Sequence, residues 1–283
     1  MRKFNKVTII GVGLLGASIA LALKKNRIAS AVSGSGRTEE NLRKARQRKI
    51  IDSYSLSHDE ACRDADLVIL ATPVGSFKNI LAMIKGSLKK GALITDVGSV
   101  KGRLVLELES ETPPGALYVG AHPIAGSDRS GIDAASPDLF RNALCILTPT
   151  ERTDAGALES IEELWRTFGS RVTRTSPQDH DRIFSAVSHM PHATAYSLVN
   201  AVHEINPSFI QFSGQGFRDT TRIALSSPEV WVDICRYNRE NIVSHLDTLI
   251  RHLSTVREMM KREDFSSLEK YFESAREFRK AIR

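Results

Sequence analysis

The chain has 283 residues, 41% of them hydrophobic and 25% charged, which is the length of about two ordinary domains with enough apolar material for a core in each. Gly and Pro stand at 18 and 10 residues, and no apolar run approaches the ~18 residues of a membrane span, so disordered, fibrous and membrane classes are excluded. The net charge of +6 is uneven: residues 1–149 hold 21 Lys+Arg against 14 Asp+Glu, whereas residues 150–283 hold 18 against 19. The basic residues are dispersed and lack interleaved aromatics, so a nucleic-acid partner is not expected. A small anionic ligand accounts for them equally well, and a merely solvated surface is the commonest cause of such a charge. Residues Met1 to Lys6 lead into the short run Val7–Ile10, with no signal-peptide core, and a soluble cytoplasmic protein is expected. Cys62, Cys145 and Cys235 are far apart and form no CxxC pair; they read as small buried apolar residues.

From Lys6 to Leu147 short apolar runs alternate with helical stretches. The runs are Val7–Ile10, Ala31–Val32, Leu67–Leu70, Ala92–Thr95, Leu117–Val119 and Leu144–Leu147. Each is bounded by Gly, Asp or Pro, the pattern of strands buried on both faces of a parallel sheet. Between them Leu14–Lys25, Glu39–Lys49, Phe77–Leu88 and Val100–Leu108 place apolar residues at helical spacing. The first part, residues 1–149, is therefore expected to be a doubly wound α/β domain. Beyond Thr148-Pro149-Thr150 helical periodicity takes over, in Ala155–Phe168, Asp179–Val202, Pro228–Met260 and Phe265–Phe278, and residues 150–283 are expected to form an all-α domain. Arg171-Val172-Thr173 is a candidate for a last strand of the first sheet.

The first strand runs into Gly11-Val12-Gly13-Leu14-Leu15-Gly16 and then a helix. This is GxGxxG in the strand–turn–helix context that raises it above a plain Gly-rich turn and makes it a dinucleotide site. Gly11 permits the tight turn, Gly13 lets the backbone approach a pyrophosphate, and Gly16 allows close helix–strand packing. The N–H groups of Leu14 and Leu15 face the phosphates. At the end of the second strand an Asp or Glu would take the ribose 2′-hydroxyl of NAD, but the stretch is Val32-Ser33-Gly34-Ser35-Gly36-Arg37-Thr38. Ser35 and Arg37 suit a 2′-phosphate, which leans towards NADP; Arg37 stacked on the adenine would leave NAD acceptable.

Three polar strand ends follow: Ala71-Thr72-Pro73-Val74, Asp96-Val97-Gly98-Ser99-Val100-Lys101, and Gly120-Ala121-His122-Pro123-Ile124-Ala125-Gly126-Ser127. Thr72 and Pro73 are expected beside the cofactor. Ser99 suits either a helix N-cap or chemistry. His122, between glycines and before Pro123, is expected on a loop, and the convergence of these ends favours a functional role over plain surface. In the second half Asp179-His180-Asp181 opens a helix that carries Ser185, then Ser188-His189-Met190-Pro191-His192. Pro191 costs several kcal/mol (~3) in a helix unless something offsets it or the helix kinks there. His189 and His192 share a face, but no HExxH pattern or acidic third ligand accompanies them, so no metal is expected. Ser213–Arg222 reads as a Gly-rich loop whose two arginines suit a multiply acidic small substrate, or else a solvated surface.

Taken in order, GVGLLGASIA, ATPVG, TDVGSVKG, GAHPIAGSDRSG, DHDRIFSAVSHMPH and GFRDTTRIALSSPEVW resemble the prephenate/arogenate dehydrogenases of tyrosine biosynthesis, over Val7 to Ile242. The resemblance implies a Rossmann-type domain followed by a helical domain that mediates homodimerisation. It implies NAD(P)-dependent oxidative decarboxylation of prephenate to 4-hydroxyphenylpyruvate, or of arogenate to tyrosine. It further implies that His122 is the acceptor or base for the C4 hydroxyl with Ser99 beside it. His189 and Arg222 orient the substrate, Arg222 on a carboxylate, and Ser185 and Trp231 match further positions near the pocket. A β-hydroxyacid dehydrogenase would carry a lysine in the helix that here holds Ser188–His192, and a non-catalytic nucleotide sensor would not need Ser99, His122 and Arg222 together.

Overall fold

The computed structural model describes residues 3–126 and 131–281; the part of the GAHPIAGSDRSG motif at 127–130 lies outside them. Six strands, β1 (Phe4–Ile10), β2 (Ala29–Ser35), β3 (Ser53–Ser55), β4 (Leu67–Leu70), β5 (Leu93–Asp96) and β6 (Leu117–Val119), make one parallel sheet in the order β3-β2-β1-β4-β5-β6. Helices α1 (Leu14–Lys25), α2 (Glu39–Gln47), α3 (His58–Cys62), α4 (Phe77–Ile84) and α5 (Gly102–Glu111) form the crossovers. Side-chain alternation fills both faces. Val7, Ile9, Leu67, Ile69 and Leu93 join one buried cluster, while Ile10, Val68, Leu70 and Ile94 join the other, so the strands read as continuous apolar runs. The strand order reverses beside β1, and the crevice outside the strands' carboxyl ends at that point is where open α/β sheets bind ligands.

A second sheet of three strands follows, with β7 (Ala121–Ile124) antiparallel to β8 (Leu144–Leu147) and β8 parallel to β9 (Arg171–Arg174). Two expectations are corrected here. Leu144–Leu147 belongs to this sheet, and the sixth place in the parallel sheet falls to β3, whose sequence Ser53-Tyr54-Ser55 has no apolar run to betray it. The 171–174 strand likewise completes the small sheet and not the large one. Helix α6 (Ala155–Thr167) is capped by Asp154, which accepts from the Ala157 N–H at 2.8 Å. It buries Trp165 edge-on against Phe140 and Phe168, at 5.2 and 5.6 Å between ring centroids. Cys62 and Cys145 are buried, and burial pushes the Cys62 thiol up to about 12; Cys235, expected inside, is exposed.

The chain gathers into two compact units, one up to Phe184 together with Ile223–Asn238, the other Ser185–Arg222 and the chain from Arg239 onward. The first unit thus continues well past residue 149, because α6 and β9 pack with the strands that precede them. Its remaining helices are α7 (Pro177–Phe184) and, after an interval, α10 (Pro228–Tyr237). The second unit is helical, with α8 (Met190–Ile205), α9 (Gln215–Thr221), α11 (Arg239–Lys261) and α12 (Phe265–Lys280).

Helices expected to be regular are altered at identifiable residues. Asp179–Val202 stays helical throughout but changes pitch: α7 runs into a π-type turn over Ser185–His189 and then α8, and this widened turn just before Pro191 accommodates a proline that has no N–H to give. Pro228–Met260 divides at the buried Asn238, whose backbone leaves the helical region and whose Nδ2 donates to the Asp181 carbonyl at 2.7 Å. The expected Gly-rich loop Ser213–Arg222 is helical from Gln215. The Gln215 Nε2 donates to Asp219 Oδ1 at 2.7 Å one turn on, and Thr220 and Thr221 bond back to the carbonyls of Gly216 and Phe217. In the second unit large apolar side chains stay exposed, among them Ile250, Leu253, Phe265, Phe272 and Phe278.

Candidate active site

Strand β1 turns at Gly11, whose φ of +99° suits glycine and whose added Cβ would stand 2.5 Å from the Ala71 carbonyl oxygen. Helix α1 then starts on Gly13, an extended N-cap that offers no side chain to its first N–H groups. Those donors are left for an anion. A Cβ at Gly13 would meet nothing within 4 Å, while one at Gly16 would lie 2.1 Å from the Gly11 oxygen and 2.9 Å from Ile9 Cγ2. The first glycine makes the turn, the second opens it to a ligand, and the third brings helix and strand together.

A cleft of about 730 Å³ opens here, lined by Gly11, Gly13, Arg37, Thr38, Thr72 and Pro73 among others. Thr72 is held by a 2.7 Å bond between its Oγ1 and Ser76 Oγ, and Ser76 donates to the Pro73 carbonyl at 2.7 Å. Four further expected cofactor residues are not among those that line the cleft. Leu14 is partly exposed, Leu15 packs on the core, Gly16 is buried, and Ser35 is buried with its Oγ donating to the Ser55 carbonyl at 2.7 Å. Ser35 Oγ also lies 2.8 Å from His58 Nδ1. Since its single proton goes to Ser55, His58 donates through Nδ1. Arg37 is 82% exposed with Glu229 at 3.9 Å, a contact that solvent screens.

Among the lining residues that sequence reasoning missed are Asn41, His58, Glu229 and Asp233. Asn41 Nδ2 donates to the Val12 carbonyl at 2.7 Å and fixes the glycine turn, and Asp233 Oδ2 accepts from the Gly75 N–H at 3.1 Å. Asp233 reaches the cleft from α10, more than 150 residues along the chain, and no local pattern announces that. The residues present fit a dinucleotide: an open glycine N-cap for the pyrophosphate and Arg37 with Thr38 after β2 for the adenosine ribose.

His122 lies on β7 and not on a loop, 7% exposed. The strand tolerates Pro123 because β7 is the edge of its sheet. Its Nδ1 is 2.8 Å from His180 Nε2, and His180 Nδ1 is 2.8 Å from Asp181 Oδ1. The Asp181 carboxylate also accepts the N–H groups of Lys101 and Gly102, at 2.7 and 2.8 Å, where α5 begins. Beneath lies a fully buried ion pair, Lys101 Nζ to Asp96 Oδ1 at 2.5 Å; Asp96 Oδ2 accepts from Tyr118 Oη at 2.6 Å. Burial raises the Tyr118 phenol, and the Asp96 charge adds to it. Ser99 sits partly exposed in the bend between β5 and α5. It is no helix cap, because the N-cap of α5 is Lys101. Trp231 of α10 packs against the buried cluster on one sheet face.

In the second unit the π-type turn carries Ser185 and His189, both buried. Ser185 Oγ is 2.9 Å from His245 Nδ1 of α11. His192 holds the Ser188 carbonyl at 2.9 Å through Nδ1. Its basicity is lowered mainly by burial, with the Arg222 charge adding and the Ser188 bond opposing. Arg222, exposed at the end of α9, is thereby placed near His192. Among the described residues no group of three His, Cys, Asp or Glu has the geometry to hold a metal.

A parallel sheet of this strand order, with a glycine turn at its switch point and a buried histidine–carboxylate chain close to one strand end, defines a dinucleotide-dependent dehydrogenase fold. Residues 19–174 match the family described as prephenate dehydrogenase, nucleotide-binding domain, and residues 176–274 match prephenate dehydrogenase, dimerization domain. The chain belongs to the prephenate dehydrogenase family. It is 37% identical to the prephenate dehydrogenase of Bacillus subtilis over 98% of this chain and 76% of that protein. It is 33% identical to the cyclohexadienyl dehydrogenase of Zymomonas mobilis over 100% and 98%. The crystal structure of prephenate dehydrogenase from A. aeolicus, in complex with hydroxyphenyl propionate and NAD+, superposes with a TM-score of 0.92 at 34% identity, covering 99% of this chain and 98% of that one.

Proposed function

We propose that this protein is an NAD(P)-dependent dehydrogenase that converts prephenate to 4-hydroxyphenylpyruvate and carbon dioxide. The observation that carries this reading is the match of both halves of the chain to the family, over almost its whole length, with a relative solved with NAD+ and a hydroxyphenyl ligand. When bound, the nicotinamide supplies the two-electron acceptor that takes a hydride from C4 of the ring. Gly11, Gly13, Arg37, Thr72 and Pro73 would hold the dinucleotide along the cleft.

His122 accepts the C4 hydroxyl proton as the hydride leaves and returns it to the ring oxygen once decarboxylation has made the ring aromatic. The imidazole accepts in its neutral form and gives the proton back from the imidazolium so formed, and general-base assistance of this kind is worth ~10²–10⁴ in rate. Ser99 donates to or accepts from the same hydroxyl. Arg222 takes a substrate carboxylate and His189 and Ser185 orient the substrate. A cation gripping the departing carboxylate would oppose its loss, so the arginine serves best by positioning. The stretch directly after β2, Gly36-Arg37-Thr38, holds no acid and Arg37 lines the cleft, so NADP is accepted beside NAD. The exposed apolar side chains of α11 and α12 fit a homodimer built on the helical unit, and the protein is assigned to the cytoplasm.

The test is absorbance at 340 nm with purified protein, in a two-by-two design of prephenate or arogenate against NAD or NADP. Reduced cofactor with prephenate is the expected result; turnover of arogenate alone would reassign the substrate, and silence in all four would remove the reading.

A further inference from the structure

We propose that His180 and Asp181 form a positioning relay behind His122, which holds its imidazole in the Nδ1–H tautomer so that Nε2 is the proton-accepting nitrogen. The inference rests on the proposed role of His122 and goes beyond it, since neither His180 nor Asp181 belongs to the substrate or cofactor residues.

The proton positions follow from the donors and acceptors present. Asp181 is buried, and its two oxygens already accept the backbone N–H groups of Lys101 and Gly102, at 2.7 and 2.8 Å. It therefore acts as an acceptor, at the N-terminus of the ten-residue helix α5, where negative charge is favoured. His180 Nδ1, 2.8 Å from Asp181 Oδ1, must donate. His180 is wholly buried and stacked flat on Phe184, with centroids 4.5 Å apart and planes 21° from parallel. Among the described residues, the charged and titratable groups around it are Asp181, Lys101, Asp96 and His122. Burial above all, with the Lys101 charge, lowers its basicity against the opposing pull of Asp181 and Asp96. A neutral His180 with its proton on Nδ1 offers only a lone pair at Nε2, and that atom is 2.8 Å from His122 Nδ1. His122 Nδ1 is the donor of that bond, and its own lone pair is on Nε2.

Each member is fixed independently of substrate. His122 is tilted against Phe184 at 4.8 Å, His180 is stacked, and Asp181 is locked by two backbone donors while its own carbonyl accepts from Asn238. When His122 takes a proton, the positive charge that forms faces a chain ending in a carboxylate. This is the orienting logic of a nucleophile–base–carboxylate arrangement, with an imidazole inserted between base and carboxylate.

The experiment compares His180→Phe, which keeps the ring and the stack but offers no acceptor, with His180→Gln, which can place its Oε1 where Nε2 stood. Prephenate turnover, NAD affinity by fluorescence titration, and the ¹⁵N histidine spectrum of labelled protein without cofactor are measured on each. The expectation is a fall in kcat of about 10-fold to 100-fold for His180→Phe, with KM and NAD affinity within about twofold, and recovery of most of the rate in His180→Gln. In the His122→Asn background the same change should cost nothing further, because the relay acts through His122. The spectrum of the unaltered protein should show His122 protonated on Nδ1, and this holds whatever the substrate proves to be. An Nε2–H tautomer there, or His180→Phe as active as the parent, overturns the relay. Loss of all activity with both substrates in the unaltered protein, with the Nδ1–H signal present, overturns the proposed reaction and leaves the relay standing.

Discussion

Adding one methyl group at Gly13 or at Gly16 separates ligand binding from folding. At Gly13 the backbone is extended, with φ −97° and ψ −155°, and a Cβ meets nothing within 4 Å. Gly13→Ala should fold normally and gain up to ~1 kcal/mol, because the unfolded chain loses freedom. Its methyl nevertheless stands at the start of α1, where the pyrophosphate must come close to bare N–H groups. Losing one charge-assisted hydrogen bond there costs about 1.5–3 kcal/mol, or a roughly tenfold to hundredfold rise in the Kd for NAD. At Gly16 the same methyl would lie 2.1 Å from the Gly11 oxygen, where ordinary contact begins at 3.4 Å. Helix and strand must part, an overpacking worth about 1–3 kcal/mol and a fall in Tm of roughly 3–10 °C. Fluorescence titration with NAD and thermal denaturation of both variants give the four numbers. A Gly13→Ala protein that binds NAD as tightly as the parent, or that melts lower than Gly16→Ala, would refute the division of labour.

His122→Asn should lower kcat at least about a hundredfold while NAD affinity is kept; steady-state kinetics with an unchanged kcat would take His122 out of the chemistry. Arg222→Ala is expected mainly to raise the KM for prephenate, by about tenfold or more, and an unaltered KM would end the carboxylate assignment. Gly36→Asp has room, with only Leu42 Cδ2 at 3.8 Å, and should shift the NAD/NADP ratio of kcat/KM towards NAD; no shift would mean that the 2′ position is read elsewhere. Thermal stability should decline as pH falls below about 6.5. His180, His58 and His192 all have basicity lowered from 6.5 by burial, so between their folded values and 6.5 the unfolded chain binds more protons and stability rises with pH. The slope should lessen in His180→Gln, and Tm curves over pH 5–7.5 that coincide would exclude a contribution from His180.

The α/β half was legible because its information is local. Strands buried on both faces leave unbroken apolar runs, and a dinucleotide turn needs glycines at fixed spacing. Where burial is one-sided or an element is short, the signal fades: β3 is Ser-Tyr-Ser at a sheet edge, and α9 looks like a loop because Gly214, Gly216 and its threonines are weak helix formers, while the Gln215–Asp219 bond that supports it joins residues one turn apart. Pro191 signals an irregularity in its helix, but its form, a π-type turn just before the proline, is not written in the local pattern. His122 was expected on a loop since Pro123 is poor strand material, and only its place on an edge strand makes the two compatible.

By itself the sequence determined the fold class, the position of the phosphate turn, and the family to which the motifs point, all of which depend on residues close together in the chain. The tertiary structure alone decided what stands behind the candidate base. His122 and His180 are 58 residues apart, and the carboxylate that orients them is pinned by backbone donors 79 and 80 residues away. A hydrogen bond acts over about 3 Å and is blind to distance along the chain. Proton placement in such a chain is therefore fixed by folding, which brings α5, α7 and β7 together and removes the water that would otherwise satisfy each group separately.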